Sequence, residues 1–205
     1  MIPYKPPYHI SGTDAPIIMG ASKWKNAYEL WLEKTGRKER EDVSQKQSVK
    51  SGLLFELPIL KSYLDEIGVQ YDESRYNQYQ IDEIGMMHGH PDYLLDDAVI
   101  EIKTTEIFSL KDWETGVPAY YYWQGVHYMM LTGKDRCVFV AQIGMSQRKV
   151  YEVWLDPDDA KALNDAEKEF VGCLVSDTPP ATIETEIPPF EASNEMDIDL
   201  ERLCL

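Results

Sequence analysis

The run HGHPDYLLDDAVIEIK, residues 88–103, constrains this chain more than any other stretch. From Asp92 onward apolar and charged side chains alternate with a period of two, the mark of a strand with two unlike faces. Asp96-Asp97 interrupts the alternation, so the run is expected to fold back as a hairpin with a two-residue turn. Folding about that turn sets residue 95 opposite 98, 94 opposite 99, 93 opposite 100 and 92 opposite 101. Tyr93, Leu95, Ala98, Ile100 and Ile102 then form the buried face, while Asp92, Glu101 and Lys103 share the other. Asp-Asp is a less favoured turn than Asn-Gly, and a slip of one residue would send the two carboxylates to opposite faces.

Cross-strand neighbours have Cβ atoms about 4.5–5.5 Å apart, and like charges at that spacing repel unless something positive lies between them. A hard divalent cation resolves the conflict. Few, all-oxygen ligands suit Mg²⁺ or Mn²⁺, which keep several waters and bind through one or two carboxylates together with a substrate phosphate. Lys103 would orient the attacking water or support charge developing on the phosphate. These are the parts of a phosphodiester hydrolase. The bland alternative is a solvated strand, because E-x-K is common as a surface salt bridge. His88 and His90 alternate with Asp92 and admit either a transition-metal set or, for His90, a supporting or DNA-facing place.

Helical periodicity and caps organise the rest. Ser11 or Thr13 is expected to cap a short helix through Met19, ended by Gly20. A second helix spans residues 26–35 before Gly36, with Ala27, Leu30, Trp31 and Lys34 at helical spacing. A third spans 49–67 before Gly68, with Leu53, Leu57, Leu60 and Leu64 as its apolar stripe. Strands are expected at 69–73, 78–84, 92–95 and 98–103, then a helix over 118–131 ended by Gly133. A strand pair at 136–143 and 149–155 follows, joined by GMSQR. Asp156-Pro157-Asp158-Asp159 starts a helix running to about residue 175, with Asp at the cap, Pro at the first position and acids at the positive end of the dipole. The aromatic run over 120–123 reads as core rather than as a base-stacking platform. The result is an α/β domain over residues 1–178, with a mixed sheet flanked by helices, and an acidic, Pro-containing tail over 179–205.

Charge bears on the partner. The formal charge of -16 argues against a polyanion until its distribution is seen, because residues 156–205 carry 14 acids against 3 bases. Residues 23–50 carry 8 Lys/Arg against 5 Asp/Glu, which leaves room for a basic face or for an ordinary solvated one. No apolar run approaches the ~20 residues that cross a bilayer, and the N-terminus lacks a signal pattern, so a cytoplasmic protein with no membrane partner is expected. Cys137, Cys173 and Cys204 are too few and too dispersed for an Fe–S cluster, which needs about four.

Pro91-Asp92, an interval of eight residues and then Glu101-Ile102-Lys103 resemble the PD-(D/E)XK nuclease signature. ISGTDAPIIMGASKWKNAYELWLEKTG, residues 10–36, is similar to the opening motif of YqaJ-type viral recombinases, the family of phage lambda exonuclease. The G-x-x-x-E of Gly52 and Glu56, the hairpin, and Gln124-x-x-x-Tyr128 follow in that family's order, and the resemblance covers about residues 8–155. It implies a restriction-endonuclease-like core and a Mg²⁺-dependent exonuclease digesting double-stranded DNA from 5′ ends to leave a 3′ single strand for recombination. It also implies a homotrimer, a phage single-strand annealing protein as partner, and an infected or prophage-bearing host cell. Metal would be held by Asp92, Glu101 and the Ile102 carbonyl. Glu56, Lys103 and Gln124 complete the catalytic set, and Thr13, Ser22, Lys23 and Tyr128 would meet DNA. Thr13 stands where the family usually has Ser, a hydroxyl associated with the 5′-phosphate. No Arg precedes Arg37, so either Lys5, Lys23 or Lys25 substitutes at that phosphate or the pocket is different. The alternatives are another nuclease of the same fold, such as a RecB-like type, a non-catalytic DNA-end-binding module, and an acidic scaffold acting through its tail.

Overall fold

The computed structural model describes residues 8–181 and 195–196. Its central sheet has the order β4-β5-β6-β7-β8, and a second sheet, β1-β3-β2, lies beside it. In chain order the strands are β1 (Ile10–Ser11), β2 (Gln80–Ile81), β3 (Met87–Gly89), β4 (Tyr93–Leu94), β5 (Ala98–Thr105), β6 (Arg136–Ile143), β7 (Gln147–Trp154) and β8 (Glu195–Met196). The helices are α1 (Ala15–Ile18), α2 (Ala27–Lys34), α3 (Gln47–Glu66), α4 (Ala119–Thr132) and α5 (Pro157–Val175). β5 and β6 run parallel, from Ala98 opposite Arg136 to Thr105 opposite Ile143, while the other pairs of this sheet are antiparallel. The sheet is therefore mixed.

Helices cover both faces of β5. Ile59, Leu60, Tyr63 and Leu64 of α3 pack on Ala98, Ile100, Val138 and Val140. On the opposite face Tyr122, Trp123, Val126 and Met129 of α4 pack on Val99, Phe139 and Ala141. α4 comes in close because Gly125 has no side chain: a Cβ there would sit 2.6 Å from the Phe139 ring. The hairpin was expected to bury one face only, yet the face bearing Glu101 and Lys103 also lies beneath a helix. A third core joins Ile10, Met86 and Met87 of the small sheet to Leu30 and Trp31 of α2 and to Phe170 and Leu174 of α5.

Local chemistry accounts for most element ends. Asn26 and Glu29 form a reciprocal capping box at α2. Asp156 accepts from the amides of Asp158 and Asp159 at the start of α5, and Gly133 takes the left-handed conformation after α4. Asp14, rather than Ser11 or Thr13, occupies the N-cap of α1, and its side chain makes no cap bond there. The expected strand over 69–73 does not form. Asp72 accepts the Ser74 amide and starts a 3₁₀ turn at Glu73–Arg75, while Val69 and Tyr71 pack on the core without a ladder. The expected strand over 78–84 shrinks to β2, because Asp82 starts a turn closed by the Gly85 amide at 3.1 Å. β3, absent from the sequence reading, is the return strand of that turn. The stripe of α3 holds at Leu57, Leu60 and Leu64 but not at its first member: Gly52 faces Thr104, and Leu53 is left 67% exposed.

Glu195–Met196 of the tail pairs with Val150 and Tyr151. The remainder of the tail beyond residue 181, including Cys204, and residues 1–7, including Lys5, lie outside the described residues. Cys137 and Cys173 are free thiols. Among the described residues no helix is long and apolar enough to cross a membrane.

Candidate active site

The hairpin register sets Tyr93 opposite Ile100 and Leu94 opposite Val99, and the turn closes with the Leu95 amide 2.9 Å from the Ala98 carbonyl. Asp92 consequently stands beside Glu101. Its own amide approaches Glu101 Oε1 at 3.4 Å, and its Oδ2 accepts the Ile102 amide at 2.6 Å. Lys103 Nζ donates to Glu101 Oε2 at 2.8 Å and to Gln124 Oε1 of α4 at 3.0 Å, and lies 5.0 Å from the centre of the Tyr121 ring. Glu101 is only 1% exposed, so these charges interact through protein rather than through water. Glu56, carried by the helix on the other face of the sheet, accepts from the Tyr76 hydroxyl at 3.0 Å.

Burial pushes the Asp92 carboxyl well above the usual range, the Glu101 charge adds to the push, and Lys103 only partly offsets it. Glu101 is raised too, by burial that outweighs the Lys103 charge and hydrogen bond. Glu56 pushes both carboxyls upward. Burial favours a neutral Lys103, but the Glu101 and Asp92 charges overcome it and keep the ammonium. Tyr76 is pushed up to about 12 by burial and by the Glu56 charge. The site thus holds more carboxylate than its one lysine can balance, which is the condition a divalent cation would relieve. Among the described residues no three His, Cys, Asp or Glu side chains converge on one point. The side chains that could hold such an ion are Asp92 and Glu101, an all-oxygen pair of the kind that Mg²⁺ completes with water and phosphate.

The other expected residues are dispersed. Thr13 is exposed, with Oγ1 3.0 Å from Ser11 Oγ. Ser22 Oγ accepts the amides of Trp24 and Lys25, and Lys23 Nζ pairs with Asp112 at 2.9 Å. Of the 8 Lys/Arg between residues 23 and 50, Lys23, Lys25, Lys34, Arg37, Lys38 and Lys46 are each paired with an acid, Lys25, Lys38 and Lys46 with acids of the same stretch and the others with Asp112, Asp14 and Asp177. Tyr128, expected to meet DNA, is 5% exposed and packs under the Gly12 turn and β3. A Cβ at Gly12 or Gly89 would come within 2.7 or 2.5 Å of its ring. Beneath those two segments it also adjoins the site, sharing a hydrogen bond with Gln124 and feeling the Glu101, Lys103 and Asp92 charges. His88 and His90 do not share a strand with Asp92, because β3 ends at Gly89 and Pro91 intervenes. His90 Nδ1 lies 3.2 Å from the Asn77 carbonyl, and the His88 ring lies 5.2 Å from that of His9.

Two buried pairs escaped the sequence reading. Asp14 pairs with Lys34 at 2.9 Å, and His127 Nδ1 lies 2.8 Å from Glu167 Oε1 with both side chains fully buried. A lysine within the apolar stripe of α2 was the available signal for the first. For the second it was a histidine within an almost wholly apolar helix.

A mixed sheet whose hairpin brings two acids and a lysine under a covering helix is a fold shared with solved alkaline exonucleases and consistent with a PD-(D/E)XK-like core. The structure of LHK-Exo in complex with dAMP matches with a TM-score of 0.67 at 19% identity, covering 82% of this chain and 89% of that one; LHK-Exo is described as an alkaline exonuclease from Laribacter hongkongensis. A phage related exonuclease from Haemophilus somnus 129PT matches with a TM-score of 0.63 at 13% identity, covering 82% of this chain and 96% of that one. These likenesses concern the fold. Residues 7–135 match the YqaJ-like viral recombinase domain, and the chain belongs to that family. It is 31% identical over 175 residues to the uncharacterized protein YqaJ of Bacillus subtilis (strain 168), a match covering 78% of this chain. The chain spans about half the length of that relative, 51%.

Proposed function

We propose that this protein is a metal-dependent exonuclease that hydrolyses phosphodiester bonds of double-stranded DNA from 5′ ends, leaving a 3′ single strand for phage-type recombination. The observation that carries the reading is the convergence of Asp92, Glu101 and Lys103, with a carboxylate surplus, in a chain of the YqaJ-like family. Asp92, Glu101 and the Ile102 carbonyl would hold the ion, Mg²⁺ or Mn²⁺, which supplies positive charge at the phosphate and lowers the pKa of a bound water. Lys103, held as an ammonium by the Glu101 and Asp92 charges, donates to the attacking water or to the phosphate oxygen on which charge develops. Gln124 fixes the direction of that donation through its 3.0 Å contact, and α4 keeps bulk water from one side of the site. Glu56 adds negative potential, which favours cation binding. Family membership supports the 5′ polarity, a homotrimer, an annealing-protein partner and a place of work in the cytoplasm of an infected or prophage-bearing cell.

The test uses linear duplexes labelled at the 5′ or 3′ end, with and without a 5′-phosphate, in Mg²⁺, Mn²⁺ or EDTA, alongside Lys103→Ala. Metal-dependent loss of label from the 5′ end, abolished by the substitution, is expected. Equal loss in EDTA, or full activity of Lys103→Ala, overturns the mechanism.

A further inference from the structure

A file of aromatic rings leads away from Lys103 and ends at an exposed tryptophan. Tyr121 lies 5.0 Å from the Lys103 ammonium, Tyr120 is 4.5 Å from Tyr121 between ring centres, and Trp24 meets Tyr120 edge-on at 5.2 Å. Tyr120 and Tyr121 precede Gln124 by four and three residues, so they continue along α4 the same face that holds Lys103. Tyr120 is 9% exposed and serves as backing, whereas Trp24 is 71% exposed and presents its ring to solvent.

The turn that carries Trp24 is fixed from several sides. Ser22 Oγ accepts the Trp24 amide at 3.2 Å and the Lys25 amide at 3.4 Å. Lys23 reaches across to Asp112 and lies 4.6 Å from the centre of the Tyr120 ring. Lys25 is bound to Glu33 at 2.6 Å. Both lysines beside Trp24 are thus committed to carboxylates, so the patch offers a flat apolar surface rather than a free cation. That chemistry suits a base more than a phosphate.

We propose that Trp24, backed by Tyr120, is a stacking platform for a nucleobase of the DNA strand whose phosphate enters the Asp92–Glu101–Lys103 site. The proposal rests on the nuclease reading and makes Trp24 a positioning residue for it. Every base offers a π-face, so stacking holds a strand without reading its sequence, as a degradative enzyme requires.

The test compares binding of two duplexes with short 5′ overhangs, one intact and one whose overhang is abasic. The protein is full-length and carries Lys103→Ala to prevent hydrolysis, with Mg²⁺ present. The intact overhang is expected to bind roughly five- to hundredfold more tightly, as one stacked base allows. Adding Trp24→Ala should erase that preference, and adding Trp24→Phe should keep most of it. In the hydrolysing protein Trp24→Ala should raise KM and leave kcat nearly unchanged. Equal binding of the two duplexes overturns the platform, as does a preference that survives Trp24→Ala. So does a Trp24→Ala effect confined to sedimentation behaviour, which would assign the ring to contact with a second copy. If the unsubstituted protein digests no labelled duplex, the nuclease reading falls and the platform with it. If it digests DNA but ignores the missing bases, the platform alone falls.

Discussion

Lys34 and Lys103 are both mostly buried ammonium groups on a carboxylate, 2.9 Å from Asp14 and 2.8 Å from Glu101. Their surroundings differ in stoichiometry. Asp14 has Lys34 to itself and also accepts the Ser11 amide and hydroxyl at 2.9 and 2.8 Å. Burial alone would raise its carboxyl, but Lys34 and Ser11 prevail and hold it below the usual range. Lys34 further donates to the His9 carbonyl at 2.7 Å, tying α2 to the segment before β1. Glu101 shares its lysine with Asp92 and feels Glu56 as well, and both site carboxyls end up raised. A balanced pair closes a fold. A surplus of carboxylate on one strand pair opposes it, and such a cost is typical of sites that bind a cation or perform chemistry.

Activity should separate the two lysines most widely. Glu101→Gln is expected to lower DNA hydrolysis by roughly 10²–10³-fold or more, the scale of losing one preorganised electrostatic group. Asp14→Asn should leave hydrolysis per folded molecule nearly unchanged, as measured by turnover of end-labelled duplex normalised to folded protein. Near-equal losses would erase the distinction. Stability comes next and points the other way. Asp14→Asn strands a mostly buried Lys34 and should cost about 3 kcal/mol in urea unfolding. A loss much smaller than that would mean that the Ser11 and His9 contacts, rather than the ion pair, hold this corner.

The Asp92–Glu101–Lys103 cluster was legible in the sequence and the Asp14–Lys34 pair was not, for a physical reason. Asp92, Glu101 and Lys103 belong to one hairpin, and a two-residue period with a turn between fixes their mutual placement locally. Asp14 and Lys34 sit on different helices, and His127 and Glu167 are forty residues apart; no local period links either pair. The same limit explains only half of β3: its parallel partners Ile10 and Ser11 lie far back in the chain, whereas its hairpin partner β2 is local but only two residues long. The start of α5 was legible because Asp156 and Pro157 act within their own turn. What the hairpin could not disclose was its cover: Glu101 reads as exposed until α4 lies over it. The composition of α4, apolar nearly all round, was the clue, since such a helix must be buried on more than one side.

Metal should sharpen the comparison further. Mg²⁺ at about a hundred times its dissociation constant should add about 2.7 kcal/mol to the parent protein. The gain should persist in Asp14→Asn and vanish in Glu101→Gln, as followed by thermal unfolding with and without EDTA. Equal stabilisation of all three proteins would place the ion elsewhere.

The smallest effect is the most specific, because its sign follows from the surplus alone. The raised carboxyl of Asp92 means that folding favours its protonated form. Its contribution is therefore most favourable below the unfolded pKa, about 3.9, and declines as pH rises toward the folded value. The cost to the parent thus grows as the pH rises from about 4. Asp92→Asn removes the charge yet retains an oxygen to accept the Ile102 amide, now at 2.6 Å. In EDTA near pH 7 the variant should exceed the parent by about 0.5–2 kcal/mol, the usual range for relief of this kind. The gap should close as the pH is lowered below about 4, where the parent carboxyl is protonated in both states. For Asp14, whose carboxyl is lowered, acidification removes stability from the parent instead, so the cost of Asp14→Asn should shrink over the acid range. If Asp92→Asn proves no more stable than the parent at pH 7, the carboxylates are already balanced without metal, and the electrostatic argument for a cation at this hairpin fails.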